Sequence, residues 1–111
     1  MRWGEQGVAM SGHFGTVMIG RLAAPFAEVE AVARRWERER DVPGFLSENV
    51  LVAEDGVTIV VTVVFEDEAG YRALSDDPEQ AQWWETQMRP LLDADPQWID
   101  GHWALSIDRT A

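Results

Sequence analysis

The chain contains no cysteine and no lysine among its 111 residues. Without cysteine it has no disulfide, thiolate nucleophile or zinc-thiolate site. Without lysine it has no Schiff-base chemistry and no lysine nucleophile. Two histidines, His13 and His102, remain as side chains that readily exchange protons near neutral pH. Because they are far apart in sequence, with no ligand spacing between them, the sequence predicts no metal site.

Long hydrophobic runs are also missing. No window reaches the roughly 18 apolar residues of a membrane span. The N-terminus lacks the basic region and apolar stretch of a secretory signal, so we expect a cytoplasmic protein. The 46% hydrophobic and 26% charged residues are enough to build one globular domain. We expect residues 15–111 to form that domain and residues 1–14, rich in glycine, to be a flexible lead-in.

Positive charge is scarce, and the net charge is −11. Residues 41–111 carry three arginines against fifteen acidic residues. Such a surface repels phosphate backbones and anionic membranes, and no basic stripe offsets the repulsion. The sequence therefore predicts neither a nucleic acid nor a membrane as partner.

Apolar spacing and turn residues predict a β-α-β-β-α-β order. The predicted elements are strand one at Thr16 to Leu22, helix one from Pro25 to about Arg40, strand two at Phe45 to Ala53, strand three at Val57 to Phe65, a short helical segment at Glu66 to Leu74, a second helix from Asp77 to about Arg89, and strand four at Trp98 to Ile107. This order predicts an α+β, ferredoxin-like fold, in which a four-stranded antiparallel sheet has its helices on one face.

Strand three is the most informative of these segments. Its sequence, VTIVVTVVF, is almost continuously apolar, whereas a strand with one face in water alternates. Both of its faces are therefore expected to be buried. The helices cover one face, and the simplest cover for the other is a second copy of the chain. We expect a homodimer with the two sheets face to face.

Side-chain alternation assigns the residues of strand four and the second helix to faces. We expect Ile99 and Trp103 to face the helices, and Asp100 and His102 to face the sheet of the second copy. On the second helix, Ala81, Trp84 and Met88 are expected inward and Glu85 and Arg89 outward, while Trp83 is assigned to the dimer interface. Asp77 and Gln80 are expected to form a capping box.

Four segments carry a resemblance to a known family. They are the strand-helix pair from Thr16 to Arg40, Val42-Pro43-Gly44-Phe45 before strand two, Phe65-Glu66-Asp67-Glu68-Ala69 after strand three, and Pro90-Leu91-Leu92 after the last helix. Over about residues 15–107 the chain resembles the antibiotic biosynthesis monooxygenase family. The resemblance implies a dimeric α/β barrel made of two ferredoxin-like protomers.

The resemblance also bears on cofactors. Family members of known activity oxygenate polycyclic phenols without metal or flavin, and a sister branch degrades haem. That branch has Asn on strand one, Trp at the end of strand three and His on the second helix. Here strand one has no Asn, strand three ends in Phe65, and the helix carries Gln82, Trp83 and Trp84. We expect no cofactor.

Cofactorless oxygenation requires an apolar slot for the substrate and a base. The residues expected to line the slot are Trp36, Phe45, Phe65, Tyr71, Trp84, Met88 and Trp103. Core packing alone also explains those on the helices. His102 is the candidate base, with a hydrogen-bonded interface histidine as the alternative. Tyr71 and Asn49 are candidates to orient a phenol or carbonyl, and either has a structural alternative.

Two functions follow from these patterns. The first is a cofactor-independent monooxygenase that acts on an aromatic or polyketide-like small molecule. The second is a noncatalytic dimeric α/β-barrel module that binds an apolar small molecule or stabilises an assembly. A fold shared by many activities does not decide between them.

Overall fold

Four antiparallel strands form one sheet in the order β2-β3-β1-β4, and a computed structural model describes residues 12–109 of the chain. The strands are β1 (Phe14–Arg21), β2 (Phe45–Val52), β3 (Thr58–Phe65) and β4 (Gln97–His102). The helices are α1 (Phe26–Glu39), α2 (Glu68–Ser75) and α3 (Pro78–Trp83). This is the predicted α+β, ferredoxin-like fold. Helix α3 runs on into a π-helical turn (Trp84–Met88) and a 3-10 turn (Arg89–Leu91), where a plain helix was predicted.

The hairpin between β2 and β3 forms at the predicted Asp55-Gly56 turn. Gly56 adopts a positive φ of 77°, a conformation that glycine reaches without a steric penalty. The Asp55 carboxylate accepts hydrogen bonds from the backbone N–H groups of Val57 and Thr58 and from the Thr58 hydroxyl, at 2.7 to 2.9 Å. These bonds lower the pKa of Asp55 to about 2. The turn fixes how β2 pairs with β3.

Cross-strand pairing divides the sheet into two faces. On the helix face, the pairing aligns one row of Phe45, Phe65, Phe14 and His102, a second of Glu48, Val63, Thr16 and Asp100, and a third of Val50, Val61, Met18 and Trp98. The opposite side, which we call the open face, carries Val17, Ile19, Asn49, Leu51, Val60, Thr62, Val64 and Ile99. The two sets of side chains therefore lie on opposite sides of the same sheet.

One cluster of the hydrophobic core is aliphatic and lies on the helix face. Met18, Ile59, Val61 and Leu92 are buried together there. Leu22 bridges Leu92 through the backbone, so the segment after the last helical turn closes this end of the sheet. Phe14 and Phe65, at the opposite end of the helix face, are buried as well.

The predicted faces of β4 are wrong. Asp100 pairs with Thr16 and His102 with Phe14, so both lie on the helix face, whereas Ile99 pairs with Val17 on the open face. The prediction failed because it placed apolar residues towards the helices, and here both faces of the sheet are apolar. The strand also ends at His102 and not at Ile107, level with Phe14, where its neighbour β1 begins.

Trp103 lies on the open face and not on the predicted helix side. Its indole Nε1 donates a hydrogen bond of 3.2 Å to the Val63 carbonyl oxygen, and it reaches that oxygen by crossing over Gly15. Phe14, the last residue of the predicted lead-in, is buried in β1. Residues 1–11 of that lead-in lie outside the described residues.

Replacing Gly15 with alanine is expected to destabilise the fold. An added Cβ would overlap the Val63 carbonyl oxygen and lie 2.7 Å from Trp103 Nε1. We expect Gly15→Ala to lower the free energy of unfolding by about 2 kcal/mol or more, measured by urea denaturation. Gly101 is the matched control, since it pairs directly with Gly15 and an added Cβ there meets no atom within 4 Å. Equal losses for the two variants would contradict the close approach at Gly15.

Candidate functional site

A cavity of about 440 Å³ lies between the helix face of the sheet and the three helices. Small-molecule sites typically measure roughly 300 to 1,000 Å³, so this cavity has room for a ligand of two or three fused rings. The sheet contributes Thr16, Met18, Phe45, Glu48, Val50, Ile59, Val61, Val63, Phe65 and Trp98. The helical segments contribute Val29, Ala33, Trp36, Tyr71, Leu74, Ser75, Gln80, Ala81, Trp83, Trp84, Glu85 and Met88.

Aromatic rings in mutual contact form much of the cavity wall. Trp36 meets Phe45 edge to face at a centroid distance of 5.6 Å, and Phe45 meets Phe65 at 5.8 Å. Trp84 meets Trp98 at 5.1 Å in the same manner. Edge-to-face packing is a favourable arrangement of aromatic rings and fixes their orientation. The wall is therefore suited to a flat aromatic ligand.

Two polar contacts between helices hold this wall in place. The Trp36 Nε1 donates a hydrogen bond of 2.9 Å to Gln80 Oε1, which joins α1 to α3. Arg40 pairs with Asp77 at 3.1 Å at the start of α3. Asp77 caps α3 as predicted, by accepting a hydrogen bond from the Glu79 N–H. Gln80 bonds to Trp36, so the predicted capping box is only half formed.

The π-helical turn changes which residues of the predicted second helix reach the cavity. A π turn inserts an extra residue into the helical repeat and is often found at functional sites. Glu85 is exposed, as expected, and it also lines the cavity. Trp83, the last residue of α3, lines the cavity as well and contacts the Trp36 ring at a centroid distance of 5.9 Å.

Tyr71 lies at one side of the cavity in a polar cluster. Its hydroxyl donates a hydrogen bond of 2.8 Å to Asp100, which also accepts one of 3.4 Å from Arg72. Burial and the contact with Asp100 raise the pKa of Tyr71 to about 12, although the Thr16 hydroxyl acts in the opposite direction. Tyr71 is therefore protonated at neutral pH. It is not a base, but the lone pairs of its oxygen are able to accept a hydrogen bond from a ligand.

Glu48 is a cavity residue that sequence reasoning missed. Glu48 is an exposed residue, yet the protein around its carboxyl group desolvates that group enough to raise its pKa. Simple alternation along β2 would put Phe45 on the same face as Asn49. A β-bulge between Phe45 and Ser47 shifts the register and puts Phe45 on the face of Glu48 and Val50. No signal in the sequence marks that bulge.

The predicted site residues divide into two groups. Trp36, Phe45, Phe65, Tyr71, Trp84 and Met88 line the cavity. Asn49 pairs with Thr62 on the open face, and Trp103 crosses the same face. His102 lies on the helix face but outside the cavity lining, exposed and edge-on to the Phe14 ring at 5.0 Å. The structure therefore does not bring Trp103 into the slot where it was expected, and Asn49 and His102, the candidates to orient and to deprotonate the substrate, also lie outside the cavity lining.

Within residues 12–109, no group of three or more His, Cys, Asp or Glu residues lies close enough together to hold a metal ion. None of the helices in this range is both long and apolar enough to cross a membrane.

Similarity to known proteins is found in structure. No sequence-family model matches the chain, and no curated protein is similar to it in sequence. A monooxygenase of Streptomyces coelicolor, ActVA-Orf6, solved in complex with nanaomycin D, superposes with a TM-score of 0.66 at 26% identity over 90% of this chain and 95% of that one. SnoaB, a cofactor-independent oxygenase of Streptomyces nogalater, superposes with a TM-score of 0.64 at 20% identity over 90% of this chain and 99% of that one.

The fold of this chain is that of antibiotic biosynthesis monooxygenase-type proteins, and the resemblance seen in the sequence is confirmed. The same fold also serves other chemistry. A hydroxynitrile lyase of Passiflora edulis superposes with a TM-score of 0.62 at 9% identity, over 91% of this chain and 98% of that one. The activity must therefore be argued from the cavity.

Removing the Gln80 side-chain amide is expected to loosen the cavity wall. In Gln80→Met the Trp36 N–H loses its hydrogen-bond acceptor at a partly buried position. We therefore expect the free energy of unfolding, measured by urea denaturation, to fall by about 1 to 2 kcal/mol. The matched control is Gln82→Met, because Gln82 is exposed and does not line the cavity. If both variants lose the same stability, the link between α1 and α3 does not contribute as described.

Proposed function

We propose that the protein is a cofactor-independent monooxygenase that acts on an aromatic or polyketide-like small molecule. The observation that carries this proposal is the aromatic-walled cavity of about 440 Å³ in a fold shared with a cofactor-independent oxygenase. The complex of ActVA-Orf6 with nanaomycin D supports a small-molecule ligand.

The cavity supplies what such a reaction requires from a protein. Its largely apolar walls reduce the contact of a bound substrate with bulk water, which favours reaction of an electron-rich substrate anion with O₂ over its reprotonation. Its rings hold a flat substrate by stacking and edge contacts. Its few polar groups, among them Tyr71 and Glu48, are placed to fix the orientation of the substrate.

The reaction balances with O₂ as the only co-reactant. For a substrate with an activated methylene group, R₂CH₂ and O₂ give R₂C=O and H₂O. The methylene carbon loses two C–H bonds and gains one oxygen atom as a carbonyl, and O₂ is reduced by four electrons. The second oxygen atom leaves as water with both hydrogens. No external reductant is consumed.

We also propose that the protein is a homodimer through the open face. Leu51 and Ile99 are 63% and 51% exposed on that face, and the half-buried Val60 and Val64 lie between them. Arg21, at the end of β1, is the only charged residue among the described strand positions of that face. An apolar sheet surface of this kind is suited to a second copy of itself.

Oxygen uptake by the purified protein tests the proposed activity. In the presence of a chelator, we expect uptake above the uncatalysed rate with at least one member of a panel of anthrones, quinols and polycyclic phenols. Ala33→Trp is expected to reduce uptake at least tenfold by filling the cavity, because Ala33 lines it from α1. Ala27→Trp, at an exposed position of the same helix, is the control.

The same experiment separates the two functional hypotheses. If no compound of the panel raises oxygen uptake above the uncatalysed rate, and a compound binds to the parent protein but not to Ala33→Trp, the monooxygenase is contradicted and the noncatalytic binding module is favoured. Uptake that persists in Ala33→Trp would place the reaction outside the cavity.

Charge on the open face is expected to prevent dimerisation. The double variant Leu51→Glu, Ile99→Glu changes side chains that are exposed in the single chain, so the protomer fold should survive. We expect the parent protein to sediment as a dimer at micromolar concentration and this variant as a monomer. The control is Ala27→Glu, Ala73→Glu, which adds the same charge on exposed helix positions. A monomeric parent protein would contradict the dimer.

A further inference from the structure

One cross-strand row of the helix face carries an acidic residue at each end. It consists of Glu48 on β2, Val63 on β3, Thr16 on β1 and Asp100 on β4. Adjacent strands lie about 4.8 Å apart, so three strand spacings separate the Cα atoms of the two acids by about 14 Å. Three of the four residues line the cavity, and Asp100 is reached from it through Tyr71. A flat ligand over Val63 therefore has an acidic group towards each side.

The two acids differ in the partners that they already have. Asp100 accepts hydrogen bonds from the Tyr71 hydroxyl and from Arg72. Within the described part of the chain, no hydrogen bond or ion pair engages the Glu48 carboxylate. Its neighbours in the cavity are Val50, Val63 and Phe45, which offer no side-chain donor. Glu48 is thus an exposed hydrogen-bond acceptor at the cavity, and none of the described residues uses its acceptor capacity.

We propose that Glu48 accepts the hydroxyl proton of the bound molecule. In the complex it accepts a hydrogen bond from a ligand hydroxyl, and in the reaction it takes that proton, so the ligand O–H bond breaks and a carboxyl O–H bond forms. The electron pair stays on the ligand as a phenolate or enolate, which O₂ then oxidises. This inference rests on the proposed function of the cavity.

The surroundings of Glu48 favour this role over Tyr71 and His102. Desolvation raises its pKa, which makes the carboxylate a stronger base than one in water. Tyr71 holds its own proton and bonds to Asp100. Glu85, on the π-helical turn, is the other acid that lines the cavity. His102 lies one row away at the sheet end and does not line it.

Binding of a phenol and of its methyl ether tests the inference without any turnover. The probes are 2-naphthol and 2-methoxynaphthalene, measured by equilibrium dialysis at neutral pH with the full-length protein. We expect the parent protein to prefer the phenol, and Glu48→Gln to reduce that preference about tenfold, since a charged acceptor is replaced by a neutral one. The control Glu54→Gln removes the same charge from an exposed turn residue and should leave the preference unchanged.

The outcomes separate this inference from the proposed function. An unchanged preference in Glu48→Gln overturns the inference, and loss of the preference in Glu85→Gln instead assigns the role to Glu85. Failure of the parent protein to bind either probe also overturns the inference. Circular dichroism establishes that each sample is folded. If Glu48→Gln is unfolded, the folded variant Glu48→Asp takes its place. A lost preference with no oxygen uptake supports Glu48 as the acceptor and contradicts only the monooxygenase.

Oxygen uptake by Glu48→Gln adds a second readout once the parent protein shows activity. We expect kcat to fall at least a hundredfold with KM changed much less, because the proton is taken in the reaction. Parent-level kcat in this variant would overturn the role of Glu48 in proton transfer.

Discussion

The pairing of β3 with its two neighbours sets the rest of the structure. Since side chains alternate along a strand, the register decides which residues face the helices and which face away. The bulge at the start of β2 brings Phe45 into line with Phe65, and Glu48 into line with Val63. Without that shift, the aromatic row would break at β2.

From this register follows which side chains of the sheet meet the helices. Leu92 packs on Met18, Ile59 and Val61, and these three sheet residues also line the cavity. Trp36, Phe45 and Phe65 form an edge-to-face series of rings in the cavity wall. The contact between Trp36 and Gln80 keeps α1 and α3 at the spacing that preserves the cavity. A cavity with rigid walls costs less entropy to occupy than one that must form around its ligand.

The fold could be predicted from the sequence because each element has a strong local signal. The apolar run of β3, the Asp55-Gly56 turn and the periodic face of α1 all agree with one topology. Much of the cavity followed from helical spacing as well, as with Trp36 and Met88. These signals depend only on neighbours in the chain, which is why they could be recognised without a structure.

What could not be predicted depends on contacts between strands or on irregular backbone. The faces of β4 were assigned by hydrophobicity, which cannot distinguish two faces that are both apolar; His102 and Trp103 were misplaced for that reason. Asn49 was misplaced and Glu48 missed because a bulge has no fixed sequence signature. That Glu85 also reaches the cavity could not be predicted, because the π-helical turn breaks the period on which the helix faces were assigned. The contact of Trp83 with Trp36 joins two helices, and spacing along one helix does not predict such a contact.

The central claim is that the cavity binds a flat aromatic molecule with its hydroxyl group at Glu48. A crystal structure of the protein with 2-naphthol tests it most directly. The account predicts the ring system over Val63, among Trp36, Phe45 and Phe65, with the hydroxyl oxygen about 2.5 to 3.0 Å from the Glu48 carboxylate. Naphthol bound on the open face beside Trp103, or a cavity closed by its own tryptophan side chains, would contradict it.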